Sequence, residues 1–157
     1  RHAGWQANIL NVPGHVVVRL GLPPHSVMID PFHAGRSIDE PGIRNLLARI
    51  SGHAPQLTTA DLAPLSNRAI LVRLLSNQAN RAVQADDLAR GLVLYERMTL
   101  LAPSFTALWW ERARIEQLLG YRKAARMSLA AMQETTHDAE IGARIHAALD
   151  ALARSTH

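Results

Sequence analysis

The rhythm of apolar and polar positions changes near residue 65 of this 157-residue chain. Before it, short β-branched runs alternate with Pro and Gly; after it, apolar residues recur at helical spacing almost to the end. His15-Val16-Val17-Val18-Arg19-Leu20 and Ser26-Val27-Met28-Ile29-Asp30 predict two strands, separated by the turn-forming Gly21-Leu22-Pro23-Pro24-His25. Asn8-Ile9-Leu10-Asn11-Val12 predicts a third strand, ending at Pro13-Gly14. A helix is expected over about 41–50, with Pro41 in its first turn, Gly52 beyond its end, and Ile43, Leu46, Leu47 and Ile50 on one face.

A hairpin turn centred between Leu22 and Pro23 pairs His15 with Asp30, Val17 with Met28 and Arg19 with Ser26. The other face then collects Val16, Val18, Leu20, Val27 and Ile29, an aliphatic set expected to lie on a core. From Ser66 onward five amphipathic helices are expected, at about 67–84, 86–102, 105–119, 121–134 and 138–154. Asp86, Ser104 and Asp138 serve as N-caps, Pro103 closes the second helix and Gly120 the third.

These helices repeat. A shift of 34 residues aligns Leu75 with Trp109, Ala79 with Ala113, Gly91 with Ala125, Tyr95 with Leu129 and Met98 with Met132. That is the tetratricopeptide period, with small residues where paired helices cross. The match covers 72–139, and 138–154 is the expected capping helix. The chain therefore reads as α+β: residues 1–65 with the β-hairpin, and 66–157 with two helical repeats and a cap.

Composition narrows the possible functions. A 48% apolar and 19% charged sequence can build a core, and with aromatics at 4% that core must be mostly aliphatic. No apolar run reaches the roughly 20 residues of a membrane span, so no membrane partner is expected. The net charge of +4 is spread over both halves, with five basic and four acidic residues in 1–66 and twelve and nine beyond. It is not gathered into a patch, and nucleic acid is not an expected partner. The chain holds no Cys, which excludes disulfides, thiolate-bound zinc and an internal thiol nucleophile. Because the first residue is Arg1 and not Met, the chain reads as processed or as a piece of a longer protein.

The chemistry that stands out is His15 opposite Asp30. A carboxylate that orients a histidine is the base half of a nucleophilic triad. An incidental cross-strand pair is the plainer reading of the spacing. Ser26 cannot complete a triad, since four strand residues put it roughly 13 Å from His15. His33 can join the two in a rival use as a metal site. No compact metal motif exists, the other histidines (2, 25, 53, 137, 146, 157) are scattered, and neither metal nor cofactor is expected. Phe32 reads as a core anchor and Gly35 as a turn residue.

On the repeats, Arg73, Asn77 and Asn80 share one helix face, and Arg114 lies on the equivalent helix of the second copy. First helices line the concave side of such stacks, so these four can bind an extended or acidic peptide; otherwise they form a solvated face. Arg112, Arg114, Arg122, Lys123 and Arg126 read as solvated surface. Trp109 is expected in inter-helix packing, and Trp110 as an exposed contact.

The strings Asn11-Val12-Pro13-Gly14-His15-Val16-Val17-Val18-Arg19 and Ile29-Asp30-Pro31-Phe32-His33-Ala34-Gly35-Arg36 resemble the Pro-Gly-His and Asp-Pro-Phe blocks of one bacterial family. That family, the regulators of SirC expression, joins a transglutaminase-like domain to tetratricopeptide repeats. The stretch from Asn67 to Asn77 resembles its repeat region. The resemblance implies that His15 and Asp30 are the His and Asp of a Cys-His-Asp triad whose Cys has no counterpart here. It implies acyl transfer or amide hydrolysis in a longer protein, with the Cys upstream of Arg1. This chain alone is expected to be inactive: a cytoplasmic interaction or regulatory module with a protein or peptide partner.

Overall fold

A computed structural model describes residues 6–52 and 56–154. Its fold is α+β: a four-stranded antiparallel sheet followed by six helices. The chain separates into two compact units, 1–70 and 71–157.

In the first unit the strands are β1 (Ala7–Ile9), β2 (Val18–Leu20), β3 (Val27–Asp30) and β4 (Arg36–Ser37), ordered as in sequence. Helix α1 (Glu40–Ser51) follows. Asp39 caps α1 by accepting from the Gly42 N–H, Pro41 sits in the first turn, and Gly52 ends it in the left-handed region at φ 77°. Ile43, Leu46 and Leu47 are buried as expected, but Ile50, one turn later, is exposed.

The hairpin register is two residues away from the expected one. Val18 pairs with Ile29, Arg19 with Met28 and Leu20 with Val27. The loop takes in His25 and Ser26 as well as both prolines, so Asp30 lies across from Val17 and not from His15. A slip of two keeps every side chain on its own face, whereas a slip of one would exchange the faces. The packing corrects a second expectation. The aliphatic face does not hold the core: Val27 is 52% exposed, and Val18, Leu20 and Ile29 are only partly covered. The core lies on the mixed face, where Val17, Leu10 and Val12 pack with Ile43 and Leu47 of α1 and with Met28, Ile38, Leu57 and Leu62. Leu10 and Val12 extend that face beyond β1, and α1 closes over it.

The helices from residue 67 are α2 (Asn67–Gln84), α3 (Leu88–Leu101), α4 (Thr106–Leu118), α5 (Arg122–Thr135) and α6 (Ala139–Arg154). Asp138 caps α6 by accepting from the Glu140 and Ile141 N–H groups. Asp87, not Asp86, caps α3, accepting from the Arg90 N–H, while Asp86 has a positive φ of 58°. Phe105, not Ser104, precedes α4 and makes no side-chain cap bond.

Two clusters fill the second unit. One joins Ala79, Leu92, Leu94, Tyr95, Met98, Leu108 and Ile115. The other joins Ala113, Ala125, Leu129, Met132, Ile145 and Leu152, with Trp109 and Trp110 packed on it. Helix α4 thus feeds both cores, with apolar residues on two sides rather than along one stripe. Gly91 is the tight point of the first cluster: a Cβ there would meet Val83 Cγ2 at 3.1 Å and Ile115 Cδ1 at 3.5 Å. Trp110 is half-buried, with the Arg144 guanidinium 4.9 Å from its ring centroid. It is not the exposed contact its position suggests.

Candidate functional site

Asp30 ends β3, and the turn that follows folds back onto it. The Phe32 N–H donates to its Oδ1 at 2.9 Å, and the Gly35 N–H donates to its carbonyl at 3.0 Å. Gly35 is the turn residue expected, with φ at 68°. This turn brings His33 back over the carboxylate, its Nδ1 lying 2.7 Å from Oδ2. His15, in the segment between β1 and β2, places Nε2 3.1 Å from Oδ1. The carboxylate is thus held between two imidazoles.

His15 and Asp30 meet despite the shifted register, because His15 lies beyond the start of β2, where its side chain reaches Asp30 diagonally. Asp30 is buried and His15 nearly so, while His33 stands at the exposed rim. Phe32 is not a core anchor: it is 70% exposed, and its ring leans on His15 at 5.4 Å between centroids.

Burial alone would raise the Asp30 carboxyl, but the hydrogen bonds from His15, the Phe32 N–H and His33 outweigh it and hold the group below its ordinary range. The stabilisation this represents is fully present above the unfolded value near 3.8 and is lost as pH falls toward the lower folded value. In urea titrations across pH, Asp30→Asn is therefore expected to flatten the loss of stability below about pH 4. An unchanged acid limb would refute the depressed pKa.

An ionised carboxylate only accepts hydrogen bonds, so His33 turns its Nδ1–H toward Oδ2. For His15 the ring nitrogen nearest the carboxylate is Nε2, 3.1 Å from Oδ1. One donor atom from each of His15, Asp30 and His33 lies within 4.8 Å of the others, and two imidazoles with a carboxylate suit a divalent ion. The contacts of the two imidazoles with Asp30 account for the same closeness. Of the scattered histidines, His2, His53 and His157 lie outside the described residues.

Two of the four helical candidates, Asn80 and Arg114, lie near Tyr95, which the sequence marked only as a repeat position. Asn80 accepts from the Tyr95 hydroxyl at 3.4 Å. Arg114, exposed, pairs with Glu111 at 2.8 Å. Burial raises the Tyr95 hydroxyl pKa, Glu111 raises it further and Arg114 opposes them, so Tyr95 has both charges as neighbours. Arg73 is half-buried and Asn77 exposed, both on α2.

Arg112 is not solvated surface. Its Nε donates at 2.9 Å to Glu116, a carboxylate only 1% exposed, and its Nη1 donates at 3.2 Å to Thr99. Ser128 donates to the other Glu116 oxygen at 2.7 Å. The i, i+4 spacing of Arg112 and Glu116 was the available signal, but the same spacing is common on exposed helices.

No helix among the described residues is long and apolar enough to cross a membrane. No solved structure matches the chain. Over 128 residues it is 29% identical to a UPF0162 protein of Xylella fastidiosa strain Temecula1, covering 80% of this chain and 46% of the relative. Over 147 residues it is 26% identical to a UPF0162 protein of Xylella fastidiosa strain 9a5c, covering 90% and 52%. The chain spans about half the length of these curated relatives. Residues 1–76, the stretch that carries His15, Asp30 and His33, match the model of the transglutaminase-like superfamily.

Proposed function

We propose that this chain contributes the base and its orienting carboxylate to a cysteine-dependent acyl-transfer or amide-hydrolysis site, and joins them to a helical module that binds a protein or peptide. The observation that carries this reading is the contact of His15 Nε2 with buried Asp30 Oδ1 at 3.1 Å. In the proposed step His15 Nδ1 takes the thiol proton, and the thiolate adds to a carbonyl carbon. The same nitrogen then passes the proton to the departing amine, leaving a thioester that water or a second amine resolves. The chain has no Cys, so the thiol comes from sequence outside it and the chain alone is inactive. A bacterial cytoplasm, which keeps thiols reduced, is the proposed setting.

We read the helices as two tetratricopeptide-like repeats and a cap. Support comes from the pairs spaced by 34 residues: Ala79 and Ala113, Gly91 and Ala125, Tyr95 and Leu129, and Met98 and Met132 are all buried. Leu75 and Trp109 are both half-buried. Arg73, Asn77, Asn80 and Arg114 are the proposed peptide-binding residues, with the Glu111 carboxylate to be displaced from Arg114 by an acidic partner.

Iodoacetamide labelling of the protein encoded by the complete gene tests the catalytic reading. One Cys should label with the pH dependence of a depressed pKa, and at neutral pH His15→Asn should slow it about tenfold. If no Cys responds to His15, the pair is structural and the reading fails.

A further inference from the structure

Asp30 has more partners than a triad requires. Its Oδ1 already receives the Phe32 N–H at 2.9 Å and faces His15 Nε2 at 3.1 Å. The second oxygen, Oδ2, is held by His33 Nδ1 at 2.7 Å, the shorter of the two imidazole contacts. The turn does not need that bond. It is tied through the Asp30 carbonyl by the N–H groups of His33 and Gly35, and Arg36 N–H donates to the His33 carbonyl. With its ring 58% exposed, His33 adds little stability by pairing with a carboxylate. What the bond does is fix the plane of the carboxylate, whose rotation about its terminal torsion is otherwise soft.

We propose that His33 is a positioning residue: by donating from Nδ1 to Asp30 Oδ2 it holds Oδ1 aimed at His15 Nε2, and so holds the base in one orientation. The catalytic consequence rests on the reading proposed above; the geometric claim does not. Asp30 is the hub, a single anion that accepts from the His33 ring and the Phe32 N–H and lies 3.1 Å from His15 Nε2. Since an ionised carboxylate cannot donate, the proton on this bond belongs to His33. An asparagine at 33 can preserve the device, because its side-chain N–H reaches the place of Nδ1–H; an alanine cannot.

The test uses the 157-residue chain itself, which needs no thiol. In nitrogen-15 NMR the His15 Hε2 proton, sheltered against a buried carboxylate oxygen 3.1 Å away, is expected as a slowly exchanging resonance at neutral pH. His33→Ala should speed its exchange about tenfold, the restraint of one hydrogen bond, while the thermal midpoint stays nearly unchanged. His33→Asn should restore the slow exchange. Equal exchange rates in the wild type and His33→Ala would overturn the proposal. So would a His33→Asn variant that behaves like His33→Ala, because the ring would then be acting by something other than N–H donation. Neither result depends on whether a Cys elsewhere responds to His15, so this proposal and the catalytic one fail separately.

Discussion

Replacing Arg112 with alanine is expected to cost the helical unit about 3–5 kcal/mol, because it strands a buried carboxylate without its cation. Glu116 receives Arg112 Nε on one oxygen and Ser128 Oγ on the other, and the same guanidinium reaches Thr99 on the neighbouring helix. Much of the cost is therefore the desolvation of Glu116 left half-paired, more than the worth of the pair itself. The double variant Arg112→Met with Glu116→Leu, which removes both charges and keeps the volume, should recover most of the loss. Urea midpoints for the two variants check this. A loss under about 1 kcal/mol in Arg112→Ala would mean that Glu116 does not depend on its cation.

Ile115→Ala should cost about 2–5 kcal/mol, and Ile115→Val about 0.5–1.5 kcal/mol. Ile115 is fully buried in the first cluster, directly beneath Gly91, where a Cβ would already sit 3.5 Å from its Cδ1. The site cannot collapse easily around a smaller side chain, because the surrounding Leu92, Met98 and Leu108 are held by their own helices. Denaturant unfolding of the two variants, read by far-ultraviolet circular dichroism, gives the comparison. Equal losses for valine and alanine would show that packing at Ile115 is loose.

Helix positions were legible in the sequence to within a few residues, because helical spacing, Gly52, Gly120 and Asp138 are local signals. Three of the four strands were legible too, but β4 and the hairpin register were not. The residues between Leu20 and Val27 include two prolines, and composition there does not say whether His25 and Ser26 belong to strand or loop. Parity survived the error, so His15 and Asp30 stayed on a common face and met. The choice of core face failed for a different reason: it depends on Leu10, Val12, Ile43 and Leu47, which come from other elements. Arg112 was misread because its own helix is compatible with exposure, and the groups that enclose its pair with Glu116 come from the neighbours that carry Thr99 and Ser128. Ile50 shows the converse: its helix face continues, but the elements that cover Ile43 and Leu47 do not reach it.

The turn after β3 bears on how related chains should be judged. Asp30 serves two masters: its side chain lies 3.1 Å from His15 Nε2, where the proposed chemistry needs it, and its carbonyl and carboxylate also tie the 30–36 turn through the N–H groups of Phe32, His33 and Gly35. A descendant that abandoned the chemistry would still be selected to keep that aspartate, since losing it would loosen the chain reversal. In any set of such proteins, then, a retained aspartate is a marker of architecture and does not by itself record a working reaction.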